Sequence, residues 1–249
     1  MASASRSEYL SPEGLRIDGR RAGEVRRLRC RIGEVVAGDG CAYLEQGNTK
    51  LLVSVRGPHE ASKRRNAVHD RAILTCDFVA TPYTTGEYKP QAHGDRSAAE
   101  LAAVVRRTFE PVVQLQLYPR AQIDVSITLL QADGGVRAAC INATTLALID
   151  AGIAMEDFVC ACTAGAVQSA LLLDMNGQED MAGAELTAGY LPRSERVGHL
   201  QLESKVPLAS ADELVNFAIE GCRQVFEELS GAVQLHSQEV LATRGPVTS

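Results

Sequence analysis

The chain has 249 residues, of which 45% are apolar, and its formal net charge at pH 7 is −6. This length and composition predict one large domain, or two small ones packed as a unit, around a sizeable core. Aromatic residues make up only 4% and tryptophan is absent, so the core must be aliphatic. The acidic balance argues against a protein that grips nucleic acid over its whole surface, but it leaves room for a local basic channel.

The amino-terminal part is predicted to contain short strands and two basic runs. Residues 1–15 are expected to form a flexible arm, residues 16–243 the folded domain and residues 244–249 a flexible tail. From Arg27 to Val55 the pattern indicates short strands broken by glycine-containing turns. Basic runs are most often solvated faces, and the alternative here is a local path for nucleic acid. The two runs are Arg16, Arg20, Arg21, Arg26, Arg27, Arg29 and Arg31, and then Lys63, Arg64 and Arg65.

The rest of the chain alternates between strand and helix patterns, which together predict a compact α+β protein. A polar loop over 58–70 and a long loop over 81–95 separate the first of these elements. The predicted strands are Ala72–Ala80, Ile123–Leu129, one or two strands in Phe158–Leu173 bent at Gly165, Leu186–Leu191 and Val197–Val206. The predicted helices are Ser97–Leu117, a second one ending near Gly152, and a long carboxy-terminal one opened by a capping box at Ser210 and Glu213.

The long loop before the first helix holds two cations that are candidates for contact with nucleic-acid phosphates. These are Lys89 and Arg96. The alternative is that Asp95 or Ser97 merely caps the helix and that Arg96 is solvated. The lone His93 in the same loop is expected to be structural.

The junction between the Ile123–Leu129 strand and the second helix has the features of an anion site. Gly134 and Gly135 let the backbone approach an anion closely. The first N–H groups of a helix have no internal partner and lie at the positive end of its dipole. Arg137 adds a planar cationic fork suited to phosphate, so the junction predicts a site for phosphate or a phosphodiester. A dinucleotide-binding domain is the weaker alternative, because the three-glycine fingerprint and a surrounding parallel βαβ pattern are missing.

An acidic loop over Asp174–Glu185 is the second candidate for chemistry. Carboxylates beside a phosphate site can protonate a leaving oxygen, or can hold a Mg²⁺ ion that neutralises developing charge. The alternative is an ordinary turn, because Asp, Asn and Gly are common turn formers.

The seven cysteines are expected to be buried thiols in a reducing compartment. Cys160 and Cys162 share one face of a predicted strand, but no second ligand pair has suitable spacing for a metal site. The sequence shows no signal peptide and no membrane-spanning apolar run, which predicts an intracellular protein without a membrane partner.

Seven short motifs occur in the order in which proteins of the ribonuclease PH family carry them, over about residues 13–240. The chain therefore resembles this family, and within it the ring subunits of exosomes. The motifs are Arg16-x-Asp18-Gly19-Arg20-Arg21, Glu45-Gln46-Gly47-Asn48-Thr49-Lys50, Gly57-Pro58-His59-Glu60, Asp70-Arg71-Ala72, His93-Gly94-Asp95-Arg96, Leu130-Gln131-Ala132-Asp133-Gly134-Gly135 and Asp150-Ala151-Gly152-Ile153.

The resemblance implies an RNase PH fold, in which two related β/α halves pack as one domain. It implies partners as well: other RNase PH-type subunits in a six-membered ring, cap subunits with RNA-binding domains, single-stranded RNA in the central pore, and a separate nuclease. The expected location is the nucleus, nucleolus and cytoplasm. Active relatives use inorganic phosphate, with Mg²⁺ as a further cofactor candidate, to cleave the 3′-terminal phosphodiester and release nucleoside diphosphates.

The resemblance also implies roles for individual residues. The phosphate loop falls on Gly135, Val136 and Arg137, and the catalytic carboxylate falls on Asp180. The second carboxylate, an Asp in active relatives, meets Leu186 by simple count, and Glu185 takes its place once a one-residue deletion in the loop is allowed. The basic loop that narrows the pore falls on Lys63, Arg64 and Arg65.

Three departures from the active pattern point to weak or absent catalysis. Val136 stands where active relatives have Ser or Thr, so one hydrogen bond to phosphate, worth ~1.5–3 kcal/mol, is lost. Ser97 stands where they have an Arg, and Glu185 where they have an Asp. Each ~1.4 kcal/mol is tenfold in rate. We therefore expect an RNA-guiding ring subunit, and the alternative is a working phosphate-dependent 3′→5′ exoribonuclease that relies on Arg137 and Asp180.

Overall fold

The computed structural model describes residues 9–11, 13–34, 38–60, 69–84, 95–167, 170–181 and 183–244. Nine strands within these ranges form two sheets. The first sheet has five strands in the order β1-β2-β3-β5-β4. All of its neighbours are antiparallel except β4 and β5, which are parallel. Its strands are β1 (Leu28–Ile32), β2 (Gly40–Gln46), β3 (Thr49–Glu60), β4 (Ile73–Ala80) and β5 (Ala121–Gln131).

The second sheet has four antiparallel strands in the order β7-β6-β8-β9. Strand β9 is an edge strand, and β6 is buried along nearly all of its length. The strands are β6 (Cys160–Val167), β7 (Ala170–Leu173), β8 (Ala184–Leu191) and β9 (Arg196–Leu202).

Four helices lie within the described ranges: α1 (Arg96–Phe109), α2 (Val136–Asp150), α3 (Gly177–Asp180) and α4 (Leu208–Arg244). Helix α2 packs between the sheets, against β2 and β3 on one side and β6 and β8 on the other. It is apolar nearly all round, as expected for a helix without a solvent face. Asn142 fixes it to β6: its amide donates to the Ala161 carbonyl at 2.9 Å and accepts from the Ala161 N–H at 2.7 Å.

One continuous core joins the two sheets to α2 and α4, and its composition confirms the aliphatic prediction. Apart from Phe109, the largest fully buried side chains are those of Leu, Ile and Met residues. Of the seven cysteines, all but Cys30 and Cys76 are buried. No helix in the described part of the chain is long and apolar enough to cross a membrane. The mixed architecture confirms the predicted fold class, while the domain limits at 15 and 243 stay predictions.

Two predicted helix boundaries were wrong, and one short helix was not predicted. Helix α1 ends at Phe109 instead of Leu117, since Pro111 cannot donate the N–H that a continuing helix needs. The predicted capping box at Ser210 fails because α4 begins earlier, at Leu208, where the Ala211 N–H already bonds the Pro207 carbonyl at 3.0 Å. The acidic segment, expected to be a loop throughout, contains the short helix α3.

The strand predictions needed three corrections. Gly165 lies inside β6 and does not bend it; a Cβ there would overlap the Met175 side chain, so the glycine is needed for packing. Strand β9 ends at Leu202, short of the predicted Val206. A parallel crossover, β4-α1-β5, does precede the double-glycine turn, although α2 then leads into the other sheet.

Candidate phosphate-binding and catalytic site

A cleft of about 700 Å³ lies where the carboxyl end of β5 meets the amino-terminal ends of α1 and α2. It brings together residues that are far apart in the sequence. Ser97 comes from α1, and Gly135, Val136 and Arg137 come from the turn and the first residues of α2. Asp180 lies at the end of α3, and Glu185 lies in β8. The structure thus places the predicted phosphate loop and both predicted carboxylates around one cavity.

The double-glycine turn is built from left-handed backbone. Gly134 has φ 74° and Gly135 has φ 62°, a region that glycine adopts at little cost. Space forbids a side chain at either position: a Cβ on Gly134 would lie 2.6 Å from the Met175 carbonyl oxygen, and one on Gly135 would lie 2.7 Å from a guanidinium nitrogen of Arg26. The two glycines therefore allow close packing beneath the turn, and they also leave the first N–H groups of α2 open to an anion in the cleft.

Arg26 supports the turn from below. Its guanidinium donates to the carbonyl oxygens of Asp133 at 2.5 Å and Gly134 at 3.2 Å, and to the Asp174 carboxylate at 2.7 Å. The Arg26 N–H and the Gln46 amide also donate to this carboxylate, both at 2.8 Å. Burial alone would raise the pKa of Asp174, but the Arg26 guanidinium and these hydrogen bonds hold it below its usual range.

A second buried arginine supports the acidic segment. Arg16 forms an ion pair with Glu179, and both side chains are fully buried. Glu179 also accepts from the Asn176 N–H while the Asn176 side chain caps the start of α3, which makes a capping box. Asp133 joins this segment to the turn, because its carboxylate accepts from the Gly177 N–H at 3.1 Å. Asp180 is therefore held at a fixed distance from the phosphate loop.

The cleft itself contains an ion pair that the sequence did not predict. The Arg137 guanidinium pairs with Glu203, the residue that follows β9, while its buried Nε has no hydrogen-bond partner in the described part of the chain. Glu185 lies beside this pair: burial and the nearby Asp180 carboxyl raise the pKa of Glu185 to about 8, although Arg137 lowers it in part. Glu185 is therefore mostly protonated at neutral pH. Burial, with a smaller contribution from Arg137, lowers the pKa of His199 on β9.

Negative charge dominates the cleft. Arg137 is the one basic side chain among the described residues that line it. Five carboxyl side chains line the same space, and they belong to Asp95, Glu100, Asp180, Glu185 and Glu203. Among the residues the structure describes, no group of three or more His, Cys, Asp or Glu side chains is arranged to hold a metal ion. The described lining of the cleft offers one cation for an anionic ligand, and that cation is already paired with Glu203.

The other predicted site residues divide into two groups. Arg96 begins α1 but does not line the cleft, whereas Ser97 does. The Asp95 carboxylate accepts from the Ser97 N–H at 3.0 Å, so the capping interpretation of this segment is confirmed. Lys63, Arg64 and Arg65, together with Lys89 and His93, lie outside the described residues.

Sequence reasoning missed three functional or supporting residues. Arg16 and Arg26 belong to a basic run that was assigned to solvent or to a nucleic-acid path, yet both are buried under the site. Glu203 was placed inside a predicted strand and received no role. A single sequence carries no local signal for these partners, since Arg26 and Asp174 are 148 positions apart.

The chain is similar to known exosome proteins over nearly all of its length. It is 44% identical to the mouse protein "Exosome complex component RRP41" over 240 residues, which is 96% of this chain and 98% of the relative. It is 36% identical to the Saccharomyces cerevisiae protein "Exosome complex component SKI6" over 237 residues, which is 94% of this chain and 96% of the relative.

Two solved structures share the fold. The crystal structure of rice Rrp46 matches with a TM-score of 0.77 at 18% identity, and covers 86% of this chain and 98% of its own. The Archaeoglobus fulgidus exosome with RNA bound to the active site matches with a TM-score of 0.75 at 23% identity, and covers 87% of this chain and 93% of its own. The family model for RNase PH, described as the 3′ exoribonuclease family, domain 1, matches residues 24–154. The chain therefore belongs to the RNase PH family of 3′ exoribonuclease proteins.

Proposed function

We propose that this chain is an RNA-guiding ring subunit of an exosome core, with weak or no phosphorolytic activity of its own. Support for the assembly comes from relatives whose names make them exosome components and that align with this chain almost end to end. The proposed partners are other RNase PH-type subunits in a six-membered ring, cap subunits with RNA-binding domains, single-stranded RNA and a separate nuclease. The proposed location is the nucleus, nucleolus and cytoplasm.

The observation that carries the catalytic half of the proposal is the charge of the cleft. Phosphorolysis needs two anions in one place, inorganic phosphate and the terminal phosphodiester of the RNA. Here the one described cation is paired with Glu203, and further carboxyl groups surround it. Val136 supplies no hydroxyl donor and Ser97 no charge, so the transition state lacks the preorganised donors that lower its energy.

One observation favours the second candidate, an active phosphate-dependent 3′→5′ exoribonuclease. Glu185, with its pKa raised to about 8, carries a proton near neutral pH beside Asp180, as a general acid must. In that reaction a phosphate oxygen attacks the terminal phosphorus, the bond from phosphorus to the 3′ oxygen breaks, and a carboxyl proton passes to that oxygen. The products are a nucleoside diphosphate and an RNA that is one nucleotide shorter and ends in a 3′ hydroxyl.

The experiment that separates the two functions uses the reconstituted ring with single-stranded RNA, with and without inorganic phosphate. We expect nucleoside diphosphate formation at or near background, and no measurable change in the Asp180→Ala ring. A wild-type ring that releases nucleoside diphosphates, with release abolished in Asp180→Ala, would establish the active enzyme instead.

The RNA-guiding role has its own test in the predicted pore loop. Changing Lys63, Arg64 and Arg65 together to Glu should weaken capture of single-stranded RNA by the assembled ring and reduce its salt dependence, because fewer counterions are released. The exposed pair Arg196 and Arg193, changed to Glu, serves as the control for added negative charge. Unchanged affinity and salt slope in the loop variant would contradict this RNA path.

A further inference from the structure

Glu203 is fixed at the open end of the β8–β9 hairpin, opposite the turn. Its N–H donates to the Glu185 carbonyl oxygen at 3.1 Å, one step beyond the last paired residues of the two strands. This bond brings the Glu203 side chain to the mouth of the cleft, where it pairs with Arg137. The backbone position of Glu203, and with it the contact to Arg137, is therefore set by the pairing of β8 with β9.

Asp180, Glu185 and Glu203 lie in the cleft with Arg137. Burial and the Asp180 carboxyl raise the pKa of Glu185 to about 8. Glu203 contacts the guanidinium directly. The negative charge that balances Arg137 is therefore supplied by Glu203, in the same cavity as the turn of Gly135 and Val136.

We infer that Glu203 occupies the place of the phosphate ligand and sets the affinity of the site for inorganic phosphate. A guanidinium binds carboxylate and phosphate oxygens through the same planar fork, so the two anions compete for Arg137. Incoming phosphate must displace the Glu203 carboxylate and then lie beside it as a like charge. This inference rests on the assignment of Gly135–Arg137 as the phosphate loop, which belongs to the proposed function.

The exposure of the pair distinguishes this role from a purely structural one. The Glu203 side chain is 41% exposed and that of Arg137 is 18% exposed, whereas both members of the Arg16–Glu179 pair are fully buried. Glu203 can therefore move into solvent without leaving a buried charge. Among the described residues, none is a hydrogen-bond partner of the Arg137 Nε, which leaves a donor for a ligand that takes the place of the Glu203 carboxylate.

The test measures binding of inorganic phosphate to the full-length chain by titration calorimetry or ³¹P NMR. Glu203→Gln should tighten phosphate binding at least tenfold, because it removes both the competitor and the like charge. Glu203→Asp, one methylene shorter, should tighten it by a smaller factor. Glu195→Gln removes the same charge at the turn end of the same hairpin, and should leave phosphate affinity within twofold of the wild type.

Two results would overturn the inference. One is a Glu203→Gln chain that binds phosphate no more tightly than the Glu195→Gln control. The other is a double variant, Glu203→Gln with Arg137→Met, that binds phosphate as tightly as Glu203→Gln alone, because the ligand would then lie elsewhere. If the Gln variant does not fold, the Asp variant decides by the same comparison. RNA capture by the assembled ring is read separately, so failure of the guiding role leaves this result interpretable.

Discussion

Arginine meets carboxylate in two layers of this site, and the two layers are built differently. Below the double-glycine turn, the Arg26–Asp174 pair is almost fully buried, and the carbonyls of Asp133 and Gly134 and the Gln46 amide add further hydrogen bonds to it. In the cleft above, the Arg137–Glu203 pair is partly exposed. The lower layer fixes the backbone, and the upper layer retains the capacity to exchange one anion for another.

The difference follows from the cost of burying charge. A buried ion is tolerated only where its partners satisfy nearly every donor and acceptor, and a group with that many partners cannot move. Separating the two members of an ion pair at the edge of solvent costs little free energy, because water solvates both charges. The buried Arg26–Asp174 pair therefore holds the backbone beneath the cleft rigidly, while the partly exposed Arg137–Glu203 pair above it can separate to bind a ligand.

The largest effect that should sharpen this comparison is loss of the Arg26 guanidinium. Arg26→Met leaves the buried Asp174 carboxylate without its main partner, and should lower the free energy of unfolding by about 3–5 kcal/mol. Arg27→Met, at the exposed neighbouring position, should change it by less than about 0.5 kcal/mol. Urea denaturation of both variants measures the difference.

A double variant tests whether the penalty comes from the uncompensated charge. Arg26→Met combined with Asp174→Leu removes both ions, and should recover part of the stability lost in Arg26→Met alone. A double variant less stable than Arg26→Met would mean that the hydrogen bonds that the Asp174 carboxylate accepts from the Arg26 N–H and the Gln46 amide outweigh the cost of its uncompensated charge.

The next largest effect concerns the turn between the layers. Gly134→Ala combines backbone strain at φ 74° with a 2.6 Å approach to the Met175 carbonyl, whereas Gly152→Ala has φ 68° with nothing within 4 Å. Strain alone costs roughly 1–2 kcal/mol. We therefore expect Gly152→Ala to lose about that much and Gly134→Ala to lose clearly more, as measured by thermal unfolding. Equal losses of stability in the two variants would show that the backbone at Met175 moves to accommodate the added methyl group, and that the packing around Gly134 is not rigid.

The fold was largely predictable because its signals are local. The alternation of apolar residues located most of the strands, the glycines located the turn before α2, and the motif order indicated the family. The failures were also local in origin: the residues after Phe109 continue a helical pattern that Pro111 ends, and Gly165 resembles a bend although it makes room for Met175.

The site was predictable only where a motif carried it. Gly135, Arg137, Asp180 and Glu185 line one cleft, while the catalytic and binding roles that the family resemblance implies for them stay predictions. Arg26 and Glu203 were not found, because their roles depend on residues far along the chain: Asp174 for the first, Arg137 for the second. Arginine in a basic run looks the same in a sequence whether it faces solvent or a buried carboxylate, and only the packing of both sheets decides between the two.

A pH dependence near neutrality is expected from the upper layer. Burial and the neighbouring Asp180 raise the pKa of Glu185 from 4.5 to about 8 in the folded chain. The folded state therefore binds this proton more tightly than the unfolded state does. The resulting stabilisation is fully present below about pH 4.5 and is lost as the pH rises through about 8.

Glu185→Gln keeps a neutral side chain at every pH. The free energy of unfolding of the wild type should therefore fall relative to that of Glu185→Gln as the pH rises across this window. Denaturation at a series of pH values checks this, with Glu195→Gln at the exposed end of the hairpin as the control. A wild-type chain that parallels Glu185→Gln from pH 5 to 8 would mean that Glu185 is ionised throughout, and that Arg137 balances two carboxylates at once.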